Sequence, residues 1–216
     1  GGSFGIKQAI MPMIILTCLA SRLCNKQVVW IEDRMEHLTA ASSATGRLTK
    51  IKASIDDQGT IHALDYDQID DVGAYPRAPE PASLYRMHGN LSGAYKVKNI
   101  RCRNRVILTN KTPSGLNRGF GGPQHYFALE RLVHQIAVEL KLNVLDVIKI
   151  NLLEKNQFPY KSPSGALLDS GNFQKLVKKV IESSTYKKIL KNKNDSVKNG
   201  KIYGIGYSAI IEPSIS

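Results

Sequence analysis

The chain has 216 residues, 42% of them hydrophobic and 22% charged, enough to bury a sizeable core and ordinary for a folded domain. Its net charge of +12 raises an acidic partner or nucleic acid. Lys187, Lys188, Lys191, Lys193, Lys198 and Lys201 crowd one Asn-rich stretch without interleaved aromatics, however. That pattern reads as a solvated loop, and nucleic-acid binding is not expected. Cys18, Cys24 and Cys102 are odd in number and lack CxxC spacing, which implies neither a disulfide framework nor a zinc site. They read as buried or free thiols in a reducing compartment, the cytoplasm. The scattered histidines (His37, His62, His88, His125, His134) give no ligand spacing for a metal held by side chains.

In chain order, Gly1-Gly2-Ser3-Phe4-Gly5-Ile6-Lys7 opens on a glycine-rich loop without an initiator Met, which reads as a fragment or processed piece. Residues 9–23 form the most apolar run. Too short for a membrane span, interrupted by Pro12 and poorly matched to a signal peptide, it predicts a buried core helix. Gln27–Asp33 is β-branched and aromatic and predicts a short strand. Leu48–Ile55 alternates Ile51, Ala53 and Ile55 against Lys50, Lys52 and Ser54, a half-buried strand. Asp56–Gly59 is a hairpin turn and Thr60–Ile69 the returning strand. A long proline-rich connection follows Asp71. Ile100–Thr109 predicts another strand, with Arg101, Arg103 and Arg105 on one face.

Asn117-Arg-Gly-Phe-Gly-Gly-Pro-Gln-His125 packs glycines, a proline, an arginine and an aromatic into one loop. Glycine permits positive φ and close approach of backbone to a ligand, and a loop entering a helix presents N–H groups to an anionic or oxo-bearing group. Taken locally, a simple glycine-rich turn linking a strand to a helix is the favoured reading. Tyr126, Leu129, Val133, Ile136 and Leu140 then mark the clearest helix. Asn143 caps a second helix through Leu153. Phe158–Ser164 breaks the pattern, and a third helix starts near Asp169 or Ser170. Ile202–Ile211 predicts a buried strand. Helices mixed with hairpins, without regular βαβ alternation, give an α+β fold.

The order of motifs is more informative than any one of them. GGSFGIK, DVGAY, GAYKVKNIR, NRGFGGPQ before a long helix, LLDSGNF and GIGYSAIIE together resemble the molybdenum-binding large subunit of the xanthine dehydrogenase, aldehyde oxidoreductase and carbon monoxide dehydrogenase family. The resemblance runs from Gly1 to about Glu212. It implies molybdenum held by the dithiolene of molybdopterin, in simple or cytosine dinucleotide form, with Fe–S and FAD groups on partner subunits. It also implies hydroxylation or oxidation of a small molecule with water-derived oxygen.

Carried over by residue, Gly2, Phe4, Gly5, Arg118 and Gly119 are expected to contact the cofactor, Phe4-Gly5 lying over the metal's oxo ligand. Gln8 falls where purine-oxidising members use a glutamate, and Gly119 where CO-oxidising members carry a cysteine. Aldehydes are therefore the favoured substrates. Arg86 matches an arginine that stabilises negative charge on the substrate, an effect on the order of 3 or 4 kcal/mol in a transition state. Phe120 matches an aromatic that stacks on flat substrates. The family's general base matches no position here, and Glu212 corresponds to another site, so the polypeptide alone is expected not to turn over. Residues 1–157 are expected to form part of a first molybdopterin-binding subdomain and residues 158–216 the start of a second. The alternatives are a non-catalytic remnant or assembly module of the same fold, or a CO dehydrogenase-like chain lacking the active-site Cys.

Overall fold

Asp56 starts a tight reversal of the chain. Its Oδ1 accepts from the N–H groups of Gln58 (3.0 Å) and Thr60 (2.8 Å), and this holds its carboxyl below the usual carboxylate range. The turn joins β1 (Gly46–Ile55) to β2 (Ile61–Asp71), and β3 (Asn99–Ile107) completes a three-stranded sheet of order β1-β2-β3. This computed structural model describes residues 4–44, 46–77 and 86–212, apart from the side chains of Gln8, Ala9 and Arg86. The sheet, with helices α1 (Met11–Cys24), α2 (Arg34–Ala40), α3 (Gly122–Glu139), α4 (Val144–Asn151), α5 (Phe173–Glu182) and α6 (Ser184–Lys198), makes an α+β fold. A small hairpin of β4 (Tyr160–Lys161) and β5 (Leu167–Leu168) pairs antiparallel, Tyr160 opposite Leu168. No helix among the described residues is long and apolar enough to cross a membrane.

The chain forms two compact units: Gly1–Lys50, Tyr66–His88 and Cys102–His125 in the first, and Ile51–Asp65, Gly89–Arg101 and Tyr126–Ser216 in the second. In the second, α3 buries Tyr126, Leu129, Val133 and Ile136, as the spacing requires. Asn143 caps α4 by accepting from Leu145 N–H at 2.8 Å. Buried Asn151 accepts from Ile61 N–H and donates to the carbonyls of Gly59 and Val147, each at 2.8 Å. One side-chain amide thus pairs with three backbone groups, and a buried backbone group left without a partner costs about 1–3 kcal/mol.

Several expectations fail for physical reasons. Residues 11–24 form the expected helix, with Pro12 in its first turn, but none of its residues is buried and Leu23 is 76% exposed. Its apolar side chains Met11, Ile14, Ile15, Leu16 and Leu19 are exposed as well, so apolar composition alone does not bury a helix. Residues 27–33 form no strand. Asp33 instead caps α2 through a reciprocal box, accepting from Glu36 N–H at 2.8 Å while Glu36 accepts from Asp33 N–H at 2.9 Å. The lysine cluster is helical as far as Lys198, started by Ser183 accepting from Tyr186 N–H at 3.1 Å. The third helix begins at Phe173, where Asn172 supplies the cap, and α4 ends at Asn151.

Residues 202–211 are in no helix and join no ladder. Their backbone hydrogen bonds go to side chains of α3. Tyr126 Oη donates to Ile211 O, Ala209 N–H donates to Glu130 Oε2 at 2.9 Å, and His134 Nε2 lies 2.7 Å from Tyr207 O. Tyr126, Glu130 and His134 are spaced by four and share one face of α3, matching alternate backbone groups of the strap.

Candidate cofactor-binding site

The first unit brings together two loops from distant parts of the sequence. Arg118 N–H donates to Phe4 O at 2.7 Å, joining the opening Phe4-Gly5 loop to the glycine loop at 117–125. Both loops need left-handed backbone. Gly5 has φ +105°, and a Cβ there would stand 2.8 Å from Leu116 O. Gly119 has φ +99°, and a Cβ there would stand 2.7 Å from Pro123 Cδ. Phe4 (φ 52°) and Phe120 (φ 45°) adopt the same region without being glycine. Such residues store on the order of 1–3 kcal/mol each and cluster at ligand sites.

Short backbone bonds hold the glycine loop in this form: Phe120 N–H to Asn117 O (3.0 Å), Gly122 N–H to Gly119 O (2.7 Å) and His125 N–H to Gly121 O (3.1 Å). Alongside, Gly115 N–H donates to Ser43 O at 2.8 Å and Ser114 N–H to Val72 O at 3.0 Å, bracing the approach to the loop. In the DVGAY stretch, Asp71 accepts from Lys111 Nζ and Thr109 Oγ1, each at 2.6 Å, and from Gly73 N–H. These bonds, Lys111 first, bring its carboxyl down to about 2.

Arg118 and Phe4 are exposed, Gly119 and Phe120 half-buried. Gln8 lies in the 3-10 turn Ile6–Ala9 and Arg86 opens the 3-10 turn Arg86–Asn90. Gly2 lies outside the described residues, as do the side chains of Gln8 and Arg86. The geometry therefore joins Phe4 and Gly5 to Arg118, Gly119 and Phe120. It gives no side-chain position for Gln8 or Arg86.

Sequence reasoning missed a buried polar layer in the same unit. Arg47 on β1 grips Asp70 on β2 through two bonds, Nε–Oδ1 at 2.6 Å and Nη2–Oδ2 at 3.0 Å, with both side chains at most 2% exposed. Asn104 on β3 donates to the same carboxylate at 2.8 Å. His125, fully buried at the end of the glycine loop, lies 5.7 Å from the Tyr66 ring. Burial first, then the Arg47 and His88 charges, press its pKa down to about 4. His88 is shifted down by burial and then by Arg47. The available signal lay in β2, whose inward residues Tyr66, Gln68 and Asp70 are polar or amphipathic where alternation would favour Ile69.

An exposed guanidinium, an exposed aromatic ring and tight glycine backbone suit a flat, anionic group on an α+β domain. Residues 1–152 match the molybdopterin cofactor-binding domain, and the chain belongs to that family. It is 28% identical to the nicotine 6-hydroxylase large subunit of Paenarthrobacter nicotinovorans, over 99% of this chain and 26% of that one. It is also 28% identical to the carbon monoxide dehydrogenase large chain of Hydrogenophaga pseudoflava, over 86% of this chain and 24% of that one. The solved quinoline 2-oxidoreductase of Pseudomonas putida 86 superposes with a TM-score of 0.83 at 28% identity, covering 93% of this chain and 26% of that one. The resemblance to molybdenum hydroxylase large subunits read from the motif order is borne out. The chain spans about a quarter of the length of the curated relatives it matches.

Proposed function

We propose that this chain is part of the cofactor-bearing large subunit of a molybdenum hydroxylase acting on an aldehyde or related small molecule. The observation that carries the reading is the Phe4 O to Arg118 N–H bond, which joins the two cofactor motifs in one unit. The proposed cofactor is molybdopterin with Mo, in simple or cytosine dinucleotide form. When bound, it supplies the two-electron oxidation and the transfer of oxygen from water.

The chain's own residues position and polarise. Phe4 and Gly5 present backbone to the cofactor, with Gly5 keeping that approach free of a Cβ, and Gly2 is a further proposed cofactor contact. Arg118 supplies an exposed cation and Gly119 the close turn beside it. Phe120 stacks against substrate, Arg86 stabilises charge developing on it, and Gln8 hydrogen-bonds it without adding charge. Substrates that do not need a carboxylate partner at position 8 or a thiolate at position 119 are favoured, hence aldehydes. The remaining large-subunit segments, an Fe–S subunit and an FAD subunit are the proposed partners, with a second cofactor subdomain starting at residue 158 and a cytoplasmic setting.

Co-expression with the neighbouring reading frames tests this. Purified complex is expected to carry molybdenum and pterin at close to one per complex, with Arg118→Ala lowering both, whereas the 216-residue chain alone turns over no aldehyde. A folded complex free of both groups would favour the assembly-module reading. Robust turnover by the chain alone would remove the requirement for partners.

A further inference from the structure

We infer that the exposed face of α1 is the docking surface for the remaining large-subunit polypeptide, which covers it with an apolar, uncharged face. The inference rests on the proposed function for the identity of that partner and on α1 itself for its substance. At about 100° per residue, the exposed Met11, Ile14, Ile15, Leu16, Leu19 and Leu23 span roughly 200° of the helix circumference. The half-buried Met13, Thr17, Ala20 and Ser21 fall within the remaining arc. Two of these bond backbone locally, Thr17 Oγ1 donating to Met13 O and Ser21 Oγ to Lys26 O, each at 2.7 Å. α1 is therefore amphipathic in reverse: its small and hydroxylated residues take the half-buried side, and most of its large apolar ones face water. The apolar surface continues past the helix, with Trp30, Ile31, Met35 and Leu38 each more than half exposed.

An exposed apolar surface of this extent marks an interaction site, and charge and shape select its occupant. A lipid surface suits a helix whose polar side carries lysine and arginine for anionic headgroups. α1 holds a single charge, Arg22, and residues 22–36 balance Arg22, Lys26 and Arg34 against Glu32, Asp33 and Glu36. A balanced rim around an apolar centre fits protein instead. Met11, Ile15, Leu19 and Leu23, spaced by four, form a ridge that seats in the groove of an apolar partner element. An apolar arc wider than half the helix needs polypeptide on more than one side. Most of the subunit length in the matched relatives lies outside these residues, which is the source of such polypeptide. α1 follows the Phe4-Gly5 loop after residues 6–10, so docking there brings the rest of the subunit to the chain just beyond the proposed cofactor contact.

Cys18 is exposed and lies on the same arc between Ile14 and Met11, which makes its thiol a probe of this face. Maleimide labelling, read by peptide mass, is expected to be ready in the chain alone. In the complex with the large-subunit polypeptide of the neighbouring reading frames it is expected to fall roughly tenfold or more. Leu16→Glu/Leu19→Glu is expected to keep the melting midpoint of the chain alone, since neither side chain is buried there, and to abolish co-purification. Unchanged Cys18 labelling in the complex, or a double variant that still co-purifies, overturns the inference. So does a wild-type chain that does not co-purify, or a double variant that fails to fold alone, since the face would then pack within the unit. A chain that is dimeric alone with Cys18 protected assigns the face to a second copy, and binding to phosphatidylcholine–phosphatidylglycerol vesicles assigns it to lipid; either result overturns the inference. Molybdenum content separates the two proposals. Protected Cys18 in a complex without molybdenum leaves the docking surface standing and removes the proposed function, while molybdenum with Cys18 freely labelled does the reverse.

Discussion

The two units bury ionisable groups in opposite ways. In the first, Arg47 and Asp70 neutralise each other and the nearby histidines are kept uncharged. In the second, Glu130 is 7% exposed and is held by neutral donors, the Tyr95 hydroxyl at 3.0 and 3.1 Å and Ala209 N–H at 2.9 Å. Burial raises the Glu130 pKa despite those bonds, and raises Tyr95 as well, the Glu130 charge adding to the effect. Tyr126 is pushed up to about 12, chiefly by burial. One unit therefore fixes its interior with paired charge and the other with dipoles around a single carboxyl. Acid should strain the first and base the second.

The largest contrast comes from breaking the ion pair. Asp70→Leu removes both carboxylate bonds to the buried Arg47 guanidinium, and is expected to cost about 3–5 kcal/mol by urea denaturation. Arg47→Met/Asp70→Leu should recover most of that loss; equal loss in the single and double variants would show that the charges are not coupled.

Acidification comes next. His125 titrates at about 4 when folded against 6.5 as its reference, so the unfolded chain binds the extra proton first. Its contribution is complete above pH 6.5 and is lost as pH falls toward 4, up to roughly 3 kcal/mol at full effect. His88 acts in the same direction. Glu130 carries the opposite sign, its raised folded pKa favouring the protein below the ordinary glutamate range and costing stability above it. Thermal melts of His125→Gln against the parent chain check the assignment: the variant should lose less stability than the parent between pH 6.5 and 4, the remainder being carried by His88.

The smallest effect falls on the second unit. Tyr95→Phe removes one donor from Glu130 and should cost about 1–2 kcal/mol. The cost should be larger at pH 8 than at pH 4, because the hydroxyl stabilises the charged carboxylate. A pH-independent cost in melts at the two values would mean that Glu130 stays protonated throughout.

Legibility in the sequence followed how local each signal was. The β1–β2 hairpin was readable because Asp56 and Gly59 act within the turn itself, and α3 because its apolar stripe repeats at helical spacing. The glycine loop was visible as a motif, although its partner at Phe4 became persuasive only through the order of motifs. Arg47 and Asp70 were invisible, since a lone charged residue on each of two strands reads as solvent-facing until the strands pair. The strap at 202–211 misled for a related reason. Its composition is that of a strand, but what satisfies its backbone is a row of polar side chains on a helix, a partner that strand propensity does not encode.

The Phe4–Arg118 bond has a consequence for assembly. It closes about half of the chain into a single loop, and closure of a long loop is entropically costly until the intervening contacts exist. The hairpin and helices can form from neighbours, whereas the joined loops report that the first unit has finished folding. A ligand spanning both loops would recognise only completed molecules, and its binding energy would add to their stability by mass action. Cofactor capture and quality control would then be the same event.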